Sequence, residues 1–515
     1  MDVSQVLLVI ISIAAAAFVR PFFGALNWLW LKPKKLEKYL KEQGFKGNAY
    51  RIFLGDMGEY ASIVAEKQPK EIKFSDNVAV HALPYVHHLM TKFGKKSYMW
   101  WGTYPRINVV DPELIKEVIT KPRVFQKPRP NPLGNFIAGG LLDTEGDRWS
   151  KHRRLINPAF HLEKLKNMVP AIHICCGEMI NKWEKLGFTE GSSLEVDVWP
   201  HLQDLSGDII SRTAFSGSSH EERRKIVLLQ REQVDLALHI LKFSFTPGYR
   251  YIPTKANKRM KQVCEELQAL LSGIITKRAK AMETEVSKND LLGILMKSNS
   301  EEIKEHGIGL SIQEVIDECQ VFFFAGSDTT SNLLVWTMIL LGLHPEWQTQ
   351  AREEVLQVFG DNTPDFDALN RLKIVTMVLQ EVLRLYPPAA LLIRDTPQNA
   401  KLGDFNIPAG MGLTVPILVL HYDQELWGTD AHVFNPQRFA EGVQGATKGK
   451  FSYIPFGGGP RICIAQNFAM TEAKMAVSMI LKTFKFEISP HYKHAPFPIV
   501  TLQPQYGAPM ILHRL

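Results

Sequence analysis

The chain has 515 residues, enough for a large buried core, and its 45% hydrophobic and 22% charged residues describe an ordinary globular protein rather than a disordered one. A formal charge of +7 is modest for this length and is not gathered into a basic stripe interleaved with aromatics, which argues against nucleic acid and for a membrane surface or an acidic protein as partner. The five cysteines, Cys175, Cys176, Cys264, Cys319 and Cys463, are odd in number and form no CxxC, so a disulfide scaffold is not expected either. No N-x-S/T acceptor occurs, and both features point to a reducing, cytosol-facing body.

The first element is the most apolar. Residues 3–19 carry no charge, and beyond Arg20 the apolar character resumes as far as Leu31. A membrane-spanning helix needs about 17–25 such residues, so this run suffices if Arg20 reaches toward the headgroups. Trp28 and Trp30 suit an interface. Lys32, Lys34, Lys35, Lys38 and Lys41 follow at once, which by the positive-inside rule leaves the body in the cytosol. A cleaved signal peptide would carry its positive charge ahead of the apolar run, where only Asp2 stands. The expected division is an anchor at 1–31, a basic juxtamembrane hinge at 32–49 and one large domain at 50–515.

Within that domain no repeat or Gly/Ser linker marks a boundary. Helical periodicity predicts helices over 111–120, 162–180, 259–282, 313–343, 347–359 and 369–385. Strand-like pieces are short, at 106–110, 411–420 and around 484–488, so the expected class is mainly α with small β-sheets. Helix 313–343 is the most informative. Ser311 and Glu314 form an S-x-x-E capping box, and the pattern runs until Gly342 and Pro345 stop it. At 1.5 Å per residue it would be roughly 45 Å long, enough to cross a domain. Its nearly uncharged middle holds Ala325-Gly326-Ser327-Asp328-Thr329-Thr330. An interior glycine there costs about 1 kcal/mol against alanine, and a buried aspartate costs more unless bonded. Local rules broken together at the centre of a long helix mark a site more often than a tolerated polar patch.

Further on, Phe456-Gly457-Gly458-Gly459-Pro460-Arg461-Ile462-Cys463 places a cysteine behind a glycine-rich loop and just before a helix beginning near Ala465. Backbone N–H groups and the dipole of that helix favour a thiolate. Cys264 and Cys319, on apolar helical faces, read as structural.

This F-x-x-G-x-R-x-C segment resembles the haem-ligand loop of the cytochromes P-450. Three more segments similar to that family's follow the family's order: Ala325-Gly326-x-Asp328-Thr329-Thr330, Glu381-x-x-Arg384 with Pro387-Pro388, and Phe434-Asn435-Pro436-Gln437-Arg438-Phe439. The resemblance covers essentially residues 30–515. It is closest to the plant family containing secologanin synthase and several triterpenoid oxidases, through residues 31–38, 144–154 and 251–255. The chain departs at Ala465, where glycine is commoner, at Gln437, where glutamate is usual, and at Tyr422, which replaces a basic residue.

The resemblance implies haem b with Cys463 as its metal ligand, an axial thiolate. Trp149, Arg153, Arg394 and Arg461 would hold the haem propionates. Asp328 and Thr329 would relay protons to bound oxygen, and Glu381, Arg384 and Arg438 would form a structural charge network behind the haem. It implies a monooxygenase acting with O2 on a hydrophobic small molecule, with a terpenoid as the family-based expectation. Electrons would come from a separate NADPH–cytochrome P-450 reductase in the same endoplasmic reticulum membrane, since the chain has no nucleotide-binding glycine motif of its own. Lys151 and Arg154 offer that partner a basic face. Residues 130–138 and 389–393, with Phe323 and Ala325, would line an apolar pocket. Two alternatives stand beside this reading. A haem-thiolate isomerase or dehydratase would not need the Asp328-Thr329 pair, and a non-catalytic haem-binding protein would need neither the long helix nor the pocket.

Overall fold

The computed structural model describes residues 5, 19–67, 70–128, 139–187, 193–215, 218–241, 249, 252–283, 290–360 and 362–515. The helices that position the site are α1 (Lys32–Glu42), α2 (Gly146–Ile156), α3 (Val198–Ala214), α4 (His220–Leu241), α5 (Lys255–Glu283), α6 (Ile312–Leu343), α7 (Ile374–Leu385) and α8 (Gln466–Thr483). The helix foreseen at 313–343 is α6, and both bonds of the Ser311–Glu314 capping box form. It runs through the middle of the main apolar core, flanked by residues of α3, α7 and α8. A Cβ at Gly326 would lie 3.0 Å from Ile210 Cγ1 on α3. The interior glycine that weakens α6 as a helix is what lets α3 cross it closely.

Three expected elements come out divided. The span 162–180 is two helices, Leu162–Lys166 and Val169–Glu184, because Pro170 lacks the N–H that a continuous helix would bond. The span 369–385 breaks between Phe366–Arg371 and α7. There the Lys373, Ile374 and Val375 N–H groups donate to the Glu354 carboxylate at 2.6, 2.8 and 3.0 Å, an N-terminal cap supplied by a different helix. The span 411–420 is a strand, Met411–Val415, followed after Pro416 by a helical turn, Ile417–His421.

The strands are β1 (Tyr98–Trp101), β2 (Tyr104–Asn108), β3 (Ser193–Asp197), β4 (Leu392–Thr396), β5 (Ala400–Leu402), β6 (Phe405–Ile407), β7 (Met411–Val415), β8 (Phe484–Ile488), β9 (Pro496–Pro498), β10 (Leu502–Pro504) and β11 (Pro509–Arg514). The largest sheet has the order β1-β2-β7-β4, with β2 and β7 parallel and Arg394 opposite Leu413. It packs with α1 around a second apolar cluster that includes Leu36, Leu40, Trp100 and Met411. β11 lies between β3 and β8, while β5–β6 and β9–β10 are short hairpins. Among the described residues no helix is long and apolar enough to cross a membrane. Most of the expected anchor, 1–4 and 6–18, lies outside the described residues.

Candidate active site

The loop from Phe456 to Cys463 is closed by the Cys463 N–H, which donates to Phe456 O at 2.9 Å. Gly459 holds φ +59°, and a Cβ there would meet Ile119 O at 2.9 Å, so the turn needs glycine for both conformation and space. Cys463 thus stands just ahead of α8. It borders a cavity of 300 Å³ bounded by the loop, α6 and the segment after α7. Burial pushes the Cys463 thiol up, while the Ala465 backbone N–H and the Arg153 guanidinium pull it down. The other four cysteines are also free thiols; Cys175, Cys176 and Cys319 are buried and Cys264 is half-buried.

Cations gather along one edge of this cavity. Arg394 and Arg461 line it. Arg461 lies 4.4 Å over the Trp149 ring and pairs with Glu145. Arg153 Nη1 donates to Ile462 O at 2.8 Å, so it braces the cysteine loop from outside. Lys127, which the sequence gave no reason to single out, joins the group. Its Nζ donates to Leu142 O and its backbone N–H to Glu145 Oε1. Burial first, then the neighbouring Arg461 and Arg394, lowers Lys127 to about 7, and burial with Arg461 lowers Arg394 to about 10. Lys127, Arg394 and Arg461 crowd around Glu145, with Asp143 also acting on Lys127, and like charges held this close in a buried place repel one another. An apolar slot with a thiol facing it and surplus cations at one edge fits a haem, whose two propionates would supply the missing negative charge.

The two relay candidates on α6 part company. Thr329 lines the Cys463 cavity and its Oγ1 donates to Ala325 O at 2.7 Å. Asp328 faces a second, more polar cavity of 340 Å³, beside Gln203 of α3 and Gln230, Arg231 and Asp235 of α4. The hydroxyl of Thr501 donates to the Asp328 carboxylate, and Asn332 Nδ2 donates to Asp328 O at 2.7 Å and to Thr501 Oγ1 at 2.9 Å. Burial raises the Asp328 pKa against the opposing pull of Thr501 and Arg231. Successive helical residues point about 100° apart, which separates the pair. Thr330 nevertheless also borders the first cavity.

Glu381 and Arg384 are both fully buried on α7. Arg384 donates to both Glu381 oxygens at 2.8 Å, and its Nη1 donates to His421 O at 2.8 Å and Ala431 O at 2.6 Å. Arg438 Nε lies 3.5 Å from Glu381 and Nη2 pairs with Asp430, so Asp430 supplies the charge that Gln437 does not. The network ties α7 to the segment that leads into the cysteine loop. Glu381→Ala should strand a buried guanidinium and cost on the order of 3–5 kcal/mol. A sharp drop in melting temperature or in folded yield is the expected result, and a melt like the wild type's would show that the pair bears no structural load.

Ala325, Ala389 and Leu392 border the first cavity as expected, with Pro388, Val321, Phe322 and Leu383, whereas Ala390, Leu391 and Ile393 of the expected wall do not. Phe323 does not; it turns into the core and stacks on Phe215 at 4.8 Å. The loop 130–138 lies outside the described residues. Lys151 and Arg154, offered as contacts for a partner, are engaged within the chain, Lys151 with Gly309 O and Arg154 with Glu302.

The Cytochrome P450 family profile matches residues 78–507. Cytochrome P450 CYP72A219 of Panax ginseng is 56% identical over 494 residues, covering 95% of each chain. A 7-deoxyloganic acid hydroxylase of Catharanthus roseus is 49% identical over 502 residues, covering 96% of each. The solved structure of a retinoic acid-bound cyanobacterial CYP120A1 superposes with a TM-score of 0.75 at 22% identity, over 91% of this chain and 98% of that one, which shows the shared fold. The chain therefore belongs to the cytochrome P450 family of haem-thiolate monooxygenases, among its plant members.

Proposed function

We propose that this monooxygenase oxidises a bulky hydrophobic small molecule of the terpenoid class at the cytosolic face of the endoplasmic reticulum. Its electrons would come from NADPH through a separate membrane-bound reductase, and Cys463 would be the axial ligand. The observation that carries this reading is one largely apolar cavity that brings together the Cys463 sulfur, the Thr329 hydroxyl and the walls formed by Phe322, Ala389 and Leu392. Such walls favour an uncharged scaffold and exclude water. The relative named as a hydroxylase supports addition of a hydroxyl group.

When bound, haem supplies the oxygen chemistry, and a thiolate ligand favours O–O cleavage. The chain's own residues do the rest. Arg394, Arg461 and Lys127 hold the propionate edge, with Trp149 beneath Arg461 and Arg153 bracing the cysteine loop. Thr329, its proton on Ala325 O, presents oxygen lone pairs to a cavity water, and rotation of the hydroxyl turns it into a donor. Asp328, whose pKa is raised by burial, would take up a proton on the polar side of α6 and pass it toward that water. Glu381, Arg384 and Arg438 keep α7 and the cysteine loop in register. Incubating microsomes containing the protein, reductase and NADPH with a terpenoid panel should yield products heavier by one oxygen, and only with all components present. Rearranged products of unchanged mass would favour the isomerase.

The chain is read as an anchor at 1–31, a hinge at 32–49 and a catalytic domain at 50–515. Deleting residues 2–31 should move much of the protein to the soluble fraction with haem still bound, read by fractionation and absorbance. A truncated chain that binds no haem would refute this division.

A further inference from the structure

Where the chain leaves its expected anchor, the surface carries features that haem chemistry does not require. The π-helical turn Asn27–Leu31 runs straight into α1. Lys32, Lys35 and Tyr39, spaced i, i+3 and i+7, share one face of α1 and border a cleft of 670 Å³ against the β5–β6 hairpin, where Lys401, Asn399 and Asn406 form the other wall. Among the described residues no carboxylate lines this cleft. The remaining lysines of α1 are answered: Lys34 and Lys41 each meet Glu37 at 2.8 Å, and Lys38 meets Glu42 at 3.9 Å. Lys32, Lys35 and Lys401 form no such ion pair among the described residues, and Lys401 feels only the more distant Glu117.

Apolar surface lies close by. The turn holding Ile52, Phe53 and Leu54 exposes all three, and Phe53 adopts φ +64°, a left-handed conformation that is strained for a residue of this kind. Trp28, also exposed, meets the Phe53 ring edge-on at 6.5 Å, and the Tyr50 hydroxyl donates to Leu29 O at 2.8 Å. The exposed turn is therefore continuous with the segment that leads out of the anchor. Lys35 follows Trp28 by seven residues. That is about 10 Å of rise in a helix, comparable with the headgroup layer of roughly 5–8 Å, so aromatics set at the acyl boundary place the lysines at phosphate level.

We propose that the cleft between α1 and the β5–β6 hairpin binds the phosphate of an anionic phospholipid, with the Ile52-Phe53-Leu54 turn inserted beside it. The catalytic domain is then fixed on the membrane at a second point. The inference rests on the membrane-anchored reading above. Lys32, Lys35 and Lys401 meet the phosphate charge, and Tyr39 and the asparagines add neutral hydrogen bonds. A choline headgroup would bring its own cation against the same lysines, so anionic lipids are selected.

The test uses the full chain in phosphatidylcholine nanodiscs with spin-labelled phosphatidylserine or phosphatidylcholine tracers. Phosphatidylserine should be favoured at the protein boundary. The combined change Lys32→Gln, Lys35→Gln and Lys401→Gln should cut that preference by roughly a hundredfold, the factor that corresponds to about 1 kcal/mol for each of three lysines near an anionic surface. The same neutralisation at Lys261, Lys297 and Lys485 should leave it intact, and both variants should keep the reduced carbon monoxide spectrum of the parent. A label at Phe53→Cys should be accessible to oxygen and shielded from a water-soluble nickel chelate. An unchanged preference in the cleft variant, an equal loss in the control, or displacement of the lipid by inorganic phosphate would overturn the proposal. Failure of the chain to enter nanodiscs at all would instead remove the anchor reading on which it rests.

Discussion

Cys463→Ser should abolish the red-shifted band of the reduced carbon monoxide complex, the largest spectroscopic change expected from any single substitution. That band would report thiolate ligation of the haem iron, and serine offers only a poorly coordinating hydroxyl. The change is nearly isosteric and leaves the Cys463 N–H free to donate to Phe456 O, so the loop should keep its shape. Serine at Cys175, Cys176, Cys264 or Cys319 should leave the band in place, because none of these cysteines borders the Cys463 cavity. A band that survives in the Cys463 variant would show that the ligand lies elsewhere.

Thr329→Ala carries the second large effect, on coupling rather than binding. Thr329 brings a hydroxyl to the α6 wall of a largely apolar cavity, beside Ala325 and Gly326 and next to Thr330. Removing it takes away little volume, so haem content and substrate affinity should change little. Product per NADPH should fall, on the order of a hundredfold for a lost general acid, with part recovered if a water takes the vacated place. Oxygen consumption should continue, with hydrogen peroxide appearing in place of product. Thr329→Ser keeps the hydroxyl and should restore coupling. Unchanged coupling in the alanine variant would mean that this face of α6 moves no protons.

Much of this was legible in the chain because it was written locally. The capping box at Ser311 and the stops at Gly342 and Pro345 bound α6 to within a residue or two. The cysteine loop, the α7 motif and the segment around Arg438 are short runs whose order alone carries the resemblance. What was illegible arises between distant segments. Glu354 caps α7 from another helix, so the break in 369–385 left no trace in periodicity. Glu381 and Arg384 look like an i,i+3 pair worth about 0.3 kcal/mol on a helix surface, and complete burial makes the same pair far more consequential. Lys127 belongs to no motif and becomes notable only where the fold sets it beside Arg394 and Arg461. Asp328 and Thr329 are adjacent in sequence, yet helix geometry turns them toward different cavities, so the proposed relay would pass from one side of α6 to the other.

The most direct measurement is the fate of isotopically heavy O2 during turnover with reductase and NADPH. A monooxygenase built on Cys463 and Thr329 places one heavy atom in the product and the other in water, with one NADPH consumed for each product in the coupled wild type. Product of unchanged mass, or oxygen drawn from water instead of the gas, would contradict it.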